Sequence, residues 1–280
     1  MRKRATTWWA RALGGFVAAA TLAACGGQAA SGGSTRPTVK GTSPHTTTST
    51  SSTTTTTTQP KLTGDISVLE IGDSLGEDLG FGLSYEFAND HNVHFYPAAV
   101  GDTGLVRPDY YNWPAHLQSE LATDHPQVVV VFLGGNDSQN IATPSGVEVF
   151  GSAAWKATYA ERAAQLMTEA TSAGARVIWV GMPVMQDPTL SSNMQMMDTI
   201  FKAVAASHPG VVYLDSWPLF STPSGQYTAT KTGPNGQTWV LRDPDGTHLD
   251  SDGGDLLAAA VVAKMNASYG LHLPVLQPPS

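Results

Sequence analysis

The chain has 280 residues, 41% of them hydrophobic, a single cysteine and a formal net charge of −8. That length and apolar content suit one catalytic-sized domain with its own core. The negative charge argues against nucleic acid as a partner, and a lone cysteine excludes an intramolecular disulfide and any CxxC metal site.

The chain opens "MRKRATTWWARALGGFVAAATLAAC", with Arg2, Lys3 and Arg4, then an apolar run, then small residues before Cys25. This is the pattern of a secretory leader over residues 1–25. Leu22, Ala23, Ala24 and Cys25 resemble the lipobox of bacterial lipoproteins. That resemblance implies export across the bacterial cytoplasmic membrane and a lipid on Cys25 that anchors the protein to the outer face. Residues 26–61 are rich in Ser, Thr, Gly and Pro. They contain too few large apolar residues to form a core and are expected to be a disordered tether, with a reach of about 30 to 35 Å. Taking the four positive charges of the leader (Arg2, Lys3, Arg4, Arg11) from −8 leaves −12, so the mature part is distinctly acidic. No later apolar run approaches the length of a membrane-spanning helix.

From Leu62 to residue 280 the sequence alternates short β-branched runs with longer amphipathic ones. Strands are predicted at 66–71, 93–98, 128–133, 176–181 and 211–215. Helices are predicted at about 77–90, 114–124, 153–173, 191–207 and 253–269. "ISVLEI", "VVVVFL" and "RVIWVG" are apolar almost throughout, as strands buried on both faces of a parallel sheet are. In the third helix Trp155, Tyr159, Ala163, Leu166, Met167 and Ala170 recur every three or four residues and predict one buried stripe. Strands alternating with helices imply right-handed crossovers and an α/β protein, a three-layer α/β/α sandwich around a mainly parallel five-stranded sheet. Ligands bind such sheets at the carboxyl ends of the strands, and it is there that Gly72, Asp73 and Ser74, then residues 101–104, then Gly134, Gly135, Asn136 and Asp137 fall.

Ser74 at the start of the first helix is either a capping residue or a nucleophile. A serine hydroxyl reacts only when a base removes its proton. Of the eight histidines, His248 has useful company. Asp245, three residues earlier, can reach back to its Nδ1–H, fix the tautomer and stabilise the imidazolium. A DxxH standing alone is also a common capped loop. Asn136 offers a side-chain amide beyond a buried strand, although a lone "GGND" is more often a turn with an Asx hydrogen bond than an oxyanion donor. The first backbone N–H of a helix, at Ser74, has no partner inside the helix, and Gly101 or Gly104 offers one more donor.

"GDSL" at 72–75, "AAVGDTGL" at 98–105, "GGND" at 134–137 and "DGTH" at 245–248 resemble, in order, the four blocks of the SGNH (GDSL-type) hydrolase family. The form "TGLVRPDYYNWP" is similar to a bacterial envelope branch of it. The resemblance implies the flavodoxin-like fold of that family, Ser74 as nucleophile, His248 as general base and acid, and Asp245 as its orienter. It further implies an oxyanion hole of the Ser74 N–H, the Asn136 amide and one glycine of block two, Gly104 before Gly101. No GxSxG pentapeptide surrounds Ser74, and neither a cofactor nor a metal is implied. The expected reaction is hydrolysis of short-chain or O-acetyl carboxylic esters, on small molecules or cell-wall glycans, through an acyl-Ser74 intermediate. An O-acyltransferase to a sugar acceptor and a non-catalytic glycan-binding lipoprotein are the alternatives. Arg107 either holds a substrate carboxylate or sugar hydroxyl or pairs with Asp109. Tyr110, Tyr111 and Trp113 are either a sugar platform or packing. Met182, Met185, Met194, Met196 and Met197 either line an acyl pocket or fill the core.

Overall fold

Val128–Phe132 (β3) and Arg176–Val180 (β6) are buried at every residue, and Ile66–Gly72 (β1) at every residue but one. Strands with no wet face must be covered above and below. In the computed structural model, which describes residues 62–234 and 236–276, these three strands form the centre of the sheet. The leader, Cys25 and the linker lie outside the described residues. The less buried strands, Val93–Pro97 (β2) and Val211–Leu214 (β7), are the two edges. The order is β2-β1-β3-β6-β7, with every pairing parallel. Adding strands outward on both sides of β1 creates a reversal of winding between β1 and β3, where loops diverge and a crevice opens at the carboxyl edge.

The helices are Ser74–Phe87 (α1), Trp113–Asp124 (α2), Ala153–Ser172 (α3), Pro188–Ala206 (α4) and Ser251–Tyr269 (α5). α1 packs on α5 on one face of the sheet, and α2, α3 and α4 cover the other. The stripe predicted for the third helix is the set α3 buries: Trp155, Tyr159, Ala163, Leu166, Met167 and Ala170. α1 and α5 approach unusually closely, because a Cβ on Gly82 would lie 2.4 Å from the Gly254 carbonyl oxygen. Glycine at the crossing lets backbone meet backbone. It brings the start of α5, and the loop before it, up to the start of α1.

Two small hairpins were not predicted: β4 (Ile141–Thr143) with β5 (Gly146–Glu148), and β8 (Thr230–Thr232) with β9 (Thr238–Val240). α4 begins three residues earlier than predicted, at Pro188 behind an Asp187 cap, while α1 begins at Ser74, the expected start of the first helix, behind an Asp73 cap and three residues ahead of its predicted amphipathic stretch. No described helix is long and apolar enough to cross a membrane.

Candidate active site at the carboxyl edge of the sheet

One residue, Asp73, separates the end of β1 from α1. Its backbone is extended, and its side chain accepts the Leu75 N–H at 3.0 Å, which makes it the helix cap. Ser74 is therefore the first helical residue, at the partly positive end of the helix, and its N–H has no intrahelical acceptor. Its hydroxyl lies 2.8 Å from Nε2 of His248, and Nδ1 of His248 lies 2.6 Å from Oδ2 of Asp245. The other Asp245 oxygen accepts the N–H groups of Thr247 at 2.8 Å and of His248 itself at 3.0 Å. The DGTH segment is thus a capped turn and an imidazole orienter at once. With Nδ1–H donated to Asp245, Nε2 is left to accept the serine proton.

Electrostatics favour that arrangement. Burial alone would lower the His248 pKa, but the hydrogen bond to Asp245 and the charges of Asp245, Asp78 and Asp243 hold it above its ordinary 6.5. Burial pushes Asp245 upward and is outweighed by hydrogen bonds from His248 and Thr247, which bring it to about 2. Asp245 is therefore a carboxylate at neutral pH, available to stabilise a protonated imidazole.

One hydrogen of the Asn136 amide is donated to the Thr103 carbonyl at 2.9 Å. That contact fixes the amide plane and leaves a second hydrogen for a ligand. The two block-two glycines differ. The Gly101 N–H is donated to Glu77 Oε1 at 2.9 Å. The Gly104 N–H has no acceptor among the described residues, and Gly104 shares with Asn136 the lining of an open cavity of about 180 Å³. Gly101 is thus excluded as a free donor and Gly104 retained.

Two buried aspartates hold these pieces together, and sequence reasoning gave neither a role. Asp73 Oδ2 accepts the Gly134 and Gly135 N–H groups at 2.9 and 2.7 Å, so one carboxyl ties the residue after Ser74 to the residue before Asn136. Asp137 accepts N–H groups from Leu105 (3.0 Å) and Val106 (3.1 Å) and the Tyr159 hydroxyl at 2.8 Å, which fixes the chain just beyond Gly104. Burial pushes Asp73 up to about 6 despite its three donors, and raises Asp137 as well. The available signal was position: each acid adjoins a candidate site residue in a glycine-bearing turn, where a short carboxylate gathers backbone N–H groups.

The remaining candidates divide. Arg107 pairs with Asp109 through two hydrogen bonds of 2.9 Å and also lines the cavity, as does Tyr110. Trp113 is packing: it is buried, and its Nε1 donates to Thr103 Oγ1 at 3.1 Å. Tyr111 tilts against it at 4.8 Å. Met182, Met185, Met194 and Met197 are core, and no methionine lines the cavity.

The family described as "Protein of unknown function (DUF459)" matches residues 67–264. No curated protein sequence matches the chain. Among solved structures, a member of the lipolytic protein G-D-S-L family from Veillonella parvula aligns with TM-score 0.50 at 16% identity, covering 71% of this chain and 97% of that one. An acetyl xylan esterase from Geobacillus stearothermophilus aligns with TM-score 0.50 at 12% identity, covering 75% and 98%. An alpha/beta hydrolase enzyme from the metagenome of Lake Arreo aligns with TM-score 0.52 at 15% identity, covering 72% and 95%. At such identities the likeness is one of fold, and the fold is that of the SGNH hydrolases.

Proposed function

This chain belongs to the DUF459 family, and from that premise we propose that it is a serine hydrolase of carboxylic esters working through an acyl-enzyme on Ser74. The observation that carries the reading is the unbroken chain from Asp245 to His248 at 2.6 Å and from His248 to Ser74 at 2.8 Å, the second link joining residues 174 positions apart in sequence. Nε2 of His248 takes the hydroxyl proton as Oγ attacks the ester carbonyl carbon, while Asp245 stabilises the imidazolium. The carbonyl oxygen becomes an oxyanion, met by the N–H groups of Ser74 and Gly104 and by the Asn136 amide. Collapse of that intermediate expels the alcohol, which takes the proton from His248. Water, activated by the same imidazole, then releases the acid and restores the serine.

The substrate class is a short-chain ester, with O-acetyl groups on envelope glycans as the leading case. It is supported by the small cavity walled by Asn136, Gly104 and the polar Thr103, Arg107 and Gln139, which adjoins the oxyanion donors and not Ser74 or His248 themselves, and by the leader and lipobox-like Cys25, which would place the enzyme outside the cytoplasmic membrane. A fluorophosphonate probe followed by peptide mass analysis tests the core of the reading: Ser74 is labelled in the wild type, and Ser74→Ala neither labels nor hydrolyses p-nitrophenyl acetate. A wild-type protein that the probe leaves untouched is the outcome of a non-catalytic glycan binder. Acetyl transfer to an added glycan in place of acetate release is the outcome of a transferase. Intact-mass analysis of membrane-expressed protein checks the location, with acylated Cys25 as the expected N-terminus.

A further inference from the structure

The peptide groups on both sides of His248 are held by two buried charged side chains, one of which, Asp78, has so far appeared only as a charge that raises the His248 pKa. Asp78 lies four residues beyond Ser74 in α1, so the two share a face one turn apart. Ser74 Oγ meets Nε2 of His248, and Asp78 Oδ2 accepts the N–H of the next residue, Leu249, at 2.9 Å. Asp78 is 7% exposed and Leu249 is fully buried. A single helix face therefore measures out both the serine and the backbone that carries its base. On the other side of the imidazole, the Arg242 guanidinium donates to the carbonyl of Thr247, the residue before His248, and to the Val184 carbonyl at 2.6 Å. Arg242 is 2% exposed, with its guanidinium 4.7 Å from the centre of the Phe220 ring. The Asp243 N–H donates to the His248 carbonyl itself at 3.0 Å.

The buried cost of these groups needs a reason. A carboxylate and a guanidinium in the interior are expensive to desolvate, and apolar replacements would often stabilise a fold equally well. A hydrogen bond to a charged group, however, fixes geometry more tightly than apolar packing. We infer that Asp78 and Arg242 are positioning residues, clamping the peptide groups after and before His248 so that its Nε2 stays within reach of Ser74 Oγ. The inference rests on the serine hydrolase reading, since it concerns how that base is held.

The test is the second-order rate of Ser74 labelling by a fluorophosphonate, measured on variants shown by circular dichroism to be folded. Asp78→Ala leaves the buried Leu249 N–H without that acceptor and is expected to slow labelling by about 100-fold, the effect of an ångström-scale misplacement. Asp78→Asn keeps an acceptor oxygen in the same place without the charge and is expected to recover part of that loss, whereas a role confined to the negative charge would recover none. Labelling of Asp78→Ala at the wild-type rate, or of Asp78→Asn as slowly as Asp78→Ala, overturns the inference while leaving the hydrolase reading intact. Should Asp78→Ala fail to fold, Arg242→Lys decides. It retains the charge but offers one nitrogen where the guanidinium gives a separate nitrogen to each carbonyl, so labelling at least about 10-fold slower is expected and a wild-type rate overturns the inference. An unlabelled wild type overturns both readings together.

Discussion

Replacing Gly104 with alanine sets the oxyanion reading against a fixed wall. The added Cβ would lie 2.1 Å from Oδ1 of Asp137 and 2.9 Å from its Cγ. Ordinary contact requires about 1.4 Å more, so either the carboxyl or the loop must move. The carboxyl is poorly placed to give way. Asp137 is fully buried and accepts hydrogen bonds from Leu105, Val106 and Tyr159. The loop therefore shifts and carries the Gly104 N–H with it. Displacement of a catalytic group by about 1 Å costs on the order of 100-fold, and outright loss of one oxyanion donor about 100- to 1000-fold in kcat, so Gly104→Ala is expected within that range. Gly101→Ala is the matched control. The three atoms nearest its Cβ are all of the Glu77 carboxylate, at 3.3 Å or more and at the far end of an exposed side chain. That contact is easily relieved, and a change of about twofold or less is expected. Rates of p-nitrophenyl acetate hydrolysis, with thermal melts to establish folding, decide the matter. Full activity in Gly104→Ala, or an equal loss in Gly101→Ala, refutes the assignment of the donor.

Three further outcomes follow from the site. The proposed base must be neutral, and His248 is held above 6.5 by Asp245, Asp78 and Asp243 against the opposing effect of burial, so activity should rise with pH through a midpoint above 6.5. In Asp245→Asn the limb should move to lower pH and the plateau fall by about 10⁴-fold as the tautomer is lost; a wild-type midpoint below 6 would contradict this. Asp73→Asn replaces a group that accepts three N–H bonds with one that brings an amide against Gly134 and Gly135. Leaving a buried donor unpaired costs about 1 to 3 kcal/mol, so both a lower Tm and reduced activity are expected, and an unchanged Tm would remove Asp73 from its tying role. Folded Asp73 titrates at about 6, well above its ordinary 3.8. Its contribution to stability is then full below about pH 4 and declines as pH rises through 6, and denaturant melts should show Asp73→Asn to be flatter than wild type across that window.

Much of this was open to reading in one dimension because it is written in periodicity. Continuous apolar runs such as "VVVVFL" identified the strands covered on both faces, and the spacing of Trp155, Tyr159, Ala163, Leu166, Met167 and Ala170 identified the buried face of α3 before any coordinates. The start of α4 is also legible in the sequence, since Asp187 followed by Pro188 is a helix start of the ordinary kind, three residues ahead of the periodic stretch. The hairpins β4–β5 and β8–β9 left no comparable trace, since three-residue strands are too short to show alternation.

Local spacing and the places where strands end were enough to set the layered α/β architecture and the residue types that gather at the sheet's carboxyl edge. Which of those residues meet was decided only in three dimensions. Gly101 and Gly104 look alike in sequence, and a Glu77 carboxylate 24 residues away takes the N–H of one and leaves the other. Asp73, Asp137, Asp78 and Arg242 look like surface charge until folding buries them against peptide groups as much as 171 residues distant. Long-range hydrogen bonds of this kind follow from the crossing of α1 and α5 and from the strand order, and neither can be computed from a window of neighbouring residues.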